Sequence, residues 1–112
     1  MKKFMAIYQA PAAAIEQAMK STPEQMKAGM DEWTKWSTKN EKAIVDLGTP
    51  LGKTKRVTAS GTSDSKNDMT GYTIVEGDTV DSVTKMFKDH PHFKMGAGVS
   101  IDVMELVSIP GM

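Results

Sequence analysis

Residues Lys2–Tyr8 read KKFMAIY, and both alternating sets of side chains are apolar: Phe4, Ala6 and Tyr8 on one side, Met5 and Ile7 on the other. Successive side chains of a strand point to opposite faces, so such a run is a strand that must be covered on both. Pro11 limits its length. Any fold for this chain has to bury two faces of an early strand.

The rest of the chain supplies the partners. Pro11–Lys20 reads as a short helix. A longer helix begins after Ser21 or Thr22 as cap, with Pro23 in the first turn and Gly48 as its stop. Met26, Met30, Trp33, Ile44 and Leu47 share one side of it at helical spacing, flanked by Trp36 and Ala43. Ser37 and Asn40 fall on or beside that apolar stripe, and a bond to a backbone group is the expected use of each. Residues 49–60, TPLGKTKRVTAS, read as a second strand whose lysines suit an exposed sheet edge. Gly61–Gly71 is a turn-rich loop. Tyr72–Gly77 is a third strand, with Tyr72 and Ile74 facing one way and Thr73 and Val75 the other. Asp78–His90 is a second main helix, capped by Asp78 or Thr79 and ended by Pro91. Gly98–Ile109 is the last strand.

The order β-α-β-β-α-β predicts a single domain over residues 1–112. It is an α+β, ferredoxin-like fold with a four-stranded antiparallel sheet and both helices on one face. The second strand then lies at an edge and the first and third are central. Two helices cover one face only, while strands one, three and four are apolar on both. The bare face would expose a patch of roughly several hundred Å². A second copy of the same face is the economical cover, so a homodimer packed sheet to sheet is expected.

Composition excludes several alternatives. The 112 residues carry 14 basic and 14 acidic side chains. Zero net charge offers no general pull toward nucleic acid or an anionic membrane. Lys53, Lys55 and Arg56 lack the interleaved aromatics of a nucleic-acid surface. No stretch approaches the ~18 apolar residues of a membrane span. The apolar run in the opening residues is too short for a signal peptide. Without cysteine there is no disulfide, thiolate metal site or cysteine nucleophile, and a cytoplasmic setting fits. The ten methionines read first as core filler.

His90 and His92 are the only histidines and flank Pro91. Side chains two apart in an extended segment project the same way, but two ligands do not make a stable metal site. Neither a metal nor a cofactor is expected. His92 can serve as an acid or base if it faces a pocket, with Asp64, Asp68 or Glu105 as candidate partners. The structural reading puts His90 in the last turn of a helix, cationic and favourable to its dipole, and has His92 hydrogen-bond to strand one or to a partner.

The chain resembles the YCII-related family of dimeric α+β barrels. The stretches that carry the resemblance are MKKFMAIY, STPEQMKAGMDEWTKW, GTPLG, GYTIVEG and HPHF followed by GVSIDVMEL. Together they span most of the chain. The resemblance implies the ferredoxin-like fold, a face-to-face dimer and a cleft between helix and barrel for small ligands. Two departures stand out. Where many relatives carry Asp-Gly-Pro-Phe, the loop here reads TSDSKNDMTGY, with only Asp64 to stand for the aspartate. Where relatives place a histidine early in the long helix, this chain has Gln25, Met26, Gly29 and Met30, and glutamine takes up no proton near neutral pH. The acid/base dyad proposed for the family is therefore not carried over, whereas Pro91 and His92 match. The expected site is a small-molecule pocket with His92 as the catalytic candidate and Tyr8, Met30, Trp33, Trp36, Tyr72 and His90 as binding residues. The four tyrosines and tryptophans are read first as core or interface residues. A non-catalytic ligand-sensing or association module is the alternative.

Overall fold

The computed structural model describes residues 1–111. It contains β1 (Lys2–Gln9), α1 (Ala12–Met19), α2 (Pro23–Lys39), β2 (Ile44–Asp46), β3 (Thr54–Thr58), β4 (Gly61–Ser65), β5 (Met69–Gly77), α3 (Val80–Lys85) and β6 (Ser100–Glu105). A 3-10 turn, Pro91–Lys94, links α3 to β6. The main sheet has the order β2-β5-β1-β6 and is antiparallel throughout. With α2 joining β1 to β2 and α3 joining β5 to β6, this is the ferredoxin-like plan. The β3–β4 hairpin forms a separate two-stranded sheet inserted between β2 and β5.

Several boundaries differ from the sequence expectation; β5 starts at Met69 rather than Tyr72, and β6 spans Ser100–Glu105 rather than Gly98–Ile109. The long helix ends at Lys39 rather than running toward Gly48, and Ile44–Asp46 becomes the edge strand. Ile44 and Val45 are β-branched, and the free edge of β5 offers them a ladder, with Ile44 opposite Val75 and a 2.8 Å bond from the Glu76 N–H to the Ala43 carbonyl. The lysine-bearing segment is indeed a strand, but it pairs with Gly61–Ser65 outside the main sheet, and with Met69–Gly71 in β5 most of the expected loop is strand. It has no apolar face to contribute: Val57, its one aliphatic side chain, is 77% exposed. The second main helix is shorter than expected, with α3 ending at Lys85 and irregular turns continuing to Asp89.

Local chemistry explains the helix starts. Thr22 Oγ1 accepts the Gln25 N–H at 3.1 Å, and the Gln25 side chain accepts the Thr22 N–H at 2.9 Å, closing a capping box ahead of Pro23. Thr79 and Ser82 do the same for α3. Ser37 and Asn40 bond to the carbonyls of Thr34 and Trp36, as expected for polar residues beside an apolar stripe.

The core lies between the helices and one sheet face. Phe4, Ala6, Tyr8 and Val75 meet Trp36, Val83 and Phe87. Trp36 Nε1 donates to the Met86 carbonyl at 2.8 Å, which ties α2 to the end of α3. The opposite face carries Met5, Ile7, Tyr72, Ile74 and Met104, cross-paired as Met5 with Ile74 and Met104, and Ile7 with Tyr72. Among the described residues the helices pack on the other face, and Met104 on this one is 48% exposed. The molecule measures 51 × 42 × 20 Å, two layers thick. Its radius of gyration, 15.8 Å, exceeds the about 13 Å of a compact domain this size, in keeping with a projecting hairpin. No helix among the described residues is long and apolar enough to cross a membrane.

Candidate functional site

A bulge at the end of β1 starts the site. Tyr8 pairs with Gly71, but Gln9 pairs with Met69, so Thr70 is the extra residue on β5. Thr70 Oγ1 donates to the Tyr8 carbonyl at 3.2 Å. Beyond the bulge, the Gln9 carbonyl turns to His92 and accepts from Nε2 at 2.9 Å. The Gln9 side-chain amide is held in turn by Asp102. The expectation that His92 bonds to strand one is thus met at the strand's last residue.

That bond defines the ring. A carbonyl only accepts, so the Nε2 of His92 carries a proton and donates it to Gln9. His92 is 3% exposed, yet its Nδ1 has no partner and is not among the fully enclosed polar atoms, so it reaches accessible space. His92 lines a cleft of about 460 Å³. One wall comes from α2, with Met30, Trp33, Thr34 and Ser37; the floor comes from Tyr8 and Thr70–Tyr72. Leu47–Pro50 and Met95 close the remaining sides. Gly48 makes the first of these possible. Its φ is +80°, and a Cβ there would lie 1.8 Å from the Tyr72 carbonyl oxygen. No Asp, Glu, Lys or Arg lines the cleft.

Tyr8 stands at the floor in a relay. Its hydroxyl lies 2.7 Å from Thr73 Oγ1, which lies 2.8 Å from the Leu47 carbonyl. Only Thr73 can donate to that carbonyl, so Tyr8 donates to Thr73. Burial pushes the Tyr8 phenol up to about 12, against the lowering effect of the Thr73 hydroxyl. Tyr8 stays protonated.

Five of the seven residues expected at the site, Tyr8, Met30, Trp33, Tyr72 and His92, line this one cleft. Trp36 and His90 stand behind it in the core. His90 is 2% exposed and packed against Trp33 and Trp36 at ring separations of 4.4 Å, with Tyr8 at 4.9 Å. Its Nδ1 accepts the His92 N–H at 2.9 Å, capping the 3-10 turn, and its Nε2 is enclosed without a partner. Burial, reinforced by His92 and opposed by Asp89, brings its pKa down to about 4. The expected cationic, dipole-facing His90 is therefore corrected: the ring is neutral because the aromatic box around it excludes water.

The candidate carboxylate partners of His92 do not reach it. Asp64 is on the hairpin, 91% exposed and paired with Lys55 at 2.8 Å, and Glu105 faces Lys2 at 3.8 Å. Asp68 meets Ala10 through its carbonyl. No three His, Asp or Glu side chains among the described residues gather closely enough to hold a metal ion. Thr34, Thr49, Pro50, Thr70 and Met95 were not legible as site residues. The sequence signal for Thr34 is its place on α2 beside Trp33, and for the others only proximity to Gly48, Gly71 and His92, because the bulge and the loop turn bring them in.

No family model and no curated protein sequence matches the chain. Among solved structures it is similar to 5-chloro-2-hydroxyhydroquinone dehydrochlorinase from Burkholderia phenoliruptrix AC1100, determined in complex with 2,5-dihydroxybenzoquinone. The TM-score is 0.49, with 15% identity over 91% of each chain.

Proposed function

We propose that the chain is a YCII-related, homodimeric protein that binds a small uncharged metabolite in the cleft beneath α2, with His92 as its acid/base group. One observation carries this reading: an imidazole that lines an apolar cleft with its Nε2 proton anchored on the Gln9 carbonyl, which leaves Nδ1 as the ring atom able to exchange a proton. A fixed carbonyl acceptor orients a histidine as a base, and an apolar enclosure strengthens its interaction with a ligand proton. In the reaction, Nδ1 takes a proton from the bound ligand and the imidazolium returns it to the product. Trp33 and Tyr8 suit a flat ligand, and Met30 and Met95 supply adaptable contacts. The open sheet face with Met5, Ile7, Ile74 and Met104 supports the homodimer. A cytoplasmic setting accords with the lack of cysteine.

The alternative is a ligand-sensing or association module without turnover. It is favoured by the lack of any carboxylate among the described residues lining the cleft and by the early turns of α2, which hold Gln25, Met26, Gly29 and Met30 and no histidine.

A thermal-stability screen against neutral metabolites separates the two. A ligand at one hundred times its Kd adds about 2.7 kcal/mol to stability. If His92→Ala abolishes turnover of that ligand while binding survives, the catalytic reading stands. A stabilising ligand that the native protein never converts favours the module. Failure of every compound to stabilise overturns the cleft as a ligand site.

A further inference from the structure

Two thioethers share the cleft with the His92 ring. Met95 follows His92 by three residues, and its N–H donates to the His92 carbonyl at 3.1 Å. Side chains three apart in a 3-10 turn eclipse, so Met95 and His92 present to the same side of the turn. Met30 precedes Trp33 by three residues on α2 and shares its helix face. The two elements are held together: Lys94 Nζ lies 2.7 Å from Glu32 Oε1, and the Tyr8 ring is 5.1 Å from that of Trp33 and 5.3 Å from that of His92. Met30, His92 and Met95 accordingly line one cleft. The Nε2 of His92 is spent on the Gln9 carbonyl at 2.9 Å. A ring N–H on a backbone carbonyl is the usual support of a metal-ligating histidine, because it fixes the ring and leaves the other nitrogen for the ion.

We propose that His92 Nδ1 and the sulfurs of Met30 and Met95 form a three-ligand site for a soft monovalent cation, Cu(I). The thioethers supply what the His, Asp and Glu side chains alone do not. Thioether and imidazole favour Cu(I), whereas hard dications ask for carboxylates, and no Asp or Glu is among the described residues lining the cleft. A single positive charge also costs the least to bring into an uncharged, apolar cleft. The chain has ten methionines and no cysteine, so thioethers are its one source of soft sulfur. Met30 is 67% exposed, which leaves the ion open to exchange. Binding of the ion requires no turnover, and it occupies the Nδ1 that the acid/base reading uses, so the ion and a reacting metabolite exclude each other.

The test uses the intact chain with methyl-labelled methionine. It is titrated with Ag(I), a redox-inert stand-in, in chloride-free buffer at neutral pH, and with Cu(I) under nitrogen against a coloured Cu(I) chelator. The first equivalent is expected to shift the methyl signals of Met30 and Met95 and the ring signals of His92. It should leave Met19 and Met26, exposed and outside the cleft, where they are. Met30→Leu and Met95→Leu keep an apolar side chain of similar size, and each should weaken binding by about tenfold or more. Met19→Leu combined with Met26→Leu should change nothing, and an equal concentration of Zn(II) should not displace the ion. A first equivalent spread over the exposed methionines, or Met30→Leu and Met95→Leu binding as tightly as the native chain, means adventitious thioether binding and overturns the site. Displacement by Zn(II) overturns its assignment to a soft cation, and failure of both ions to bind overturns the proposal. None of these failures touches the cleft as a metabolite site, which the stability screen tests by itself.

Discussion

A neutral imidazole has one proton and one lone pair, and the two histidines of this chain divide them differently. His92 uses its Nε2 proton, donated inward to Gln9; His90 uses its lone pair to hold the His92 N–H. His90 therefore acts on His92 through the backbone, and its own titration bears on stability. Its pKa falls from about 6.5 in an unfolded chain to about 4 in the folded protein. Between those values the unfolded state binds more protons, so folding stability from this group is full above about pH 6.5 and drains away as pH falls toward 4. Urea titrations from pH 7 to 4 should show this decline. His90→Asn keeps an acceptor at the cap position and removes the titration; the decline should be measurably shallower in that variant, and an unchanged slope would assign it to other groups. Sequence reading located both histidines and met one of their partners. It missed the charge of His90, because two tryptophans from a helix fifty residues away decide it.

At the scale of the element, caps and turns are the legible part. The α2 start was readable from Thr22, Pro23 and Gln25, and Thr22→Ala should lower stability by about 1 kcal/mol in urea unfolding, with the fold unchanged by circular dichroism. Gly48 was readable as a stop, though for a different reason than the one found. It does not end a helix; it turns the chain from β2 along the cleft, with its N–H on Asp46 Oδ1 at 2.9 Å. A side chain there meets the Tyr72 carbonyl in a left-handed backbone conformation. Gly48→Ala should cost about 2 kcal/mol or more, seen as a lower urea midpoint. The end of α2 was not legible. Ile44 and Leu47 keep helical spacing with Trp33, and only the vacant edge of β5 draws Ile44 into a strand instead.

At the scale of the molecule, one sheet face is roofed by helices and the other is open. The alternation in β1 and β5 places Phe4, Ala6, Tyr8 and Val75 under the roof and Met5, Ile7, Tyr72 and Ile74 outside. The proposed dimer makes a direct prediction. Light scattering should give twice the chain mass for the native protein, and Ile74→Lys, which sets a charge in the middle of the open face, should shift it toward the single chain at micromolar concentration. A native protein that runs as a single chain would remove the second copy from the proposal.

The sequence by itself determined four of the six strands, the helix starts, the ferredoxin-like order and the presence of two apolar sheet faces. These follow from periodicity and from side chains within four residues of each other, so they can be read without knowing what packs on what. The tertiary structure alone decided where α2 yields to a strand, which strand takes the sheet edge, that His90 is neutral, and that His92 donates to the Gln9 carbonyl at the cleft. Each of those depends on which backbone carbonyl or aromatic ring a distant segment brings within hydrogen-bond or contact distance. A hydroxyl or imidazole has no fixed polarity until that partner is in place.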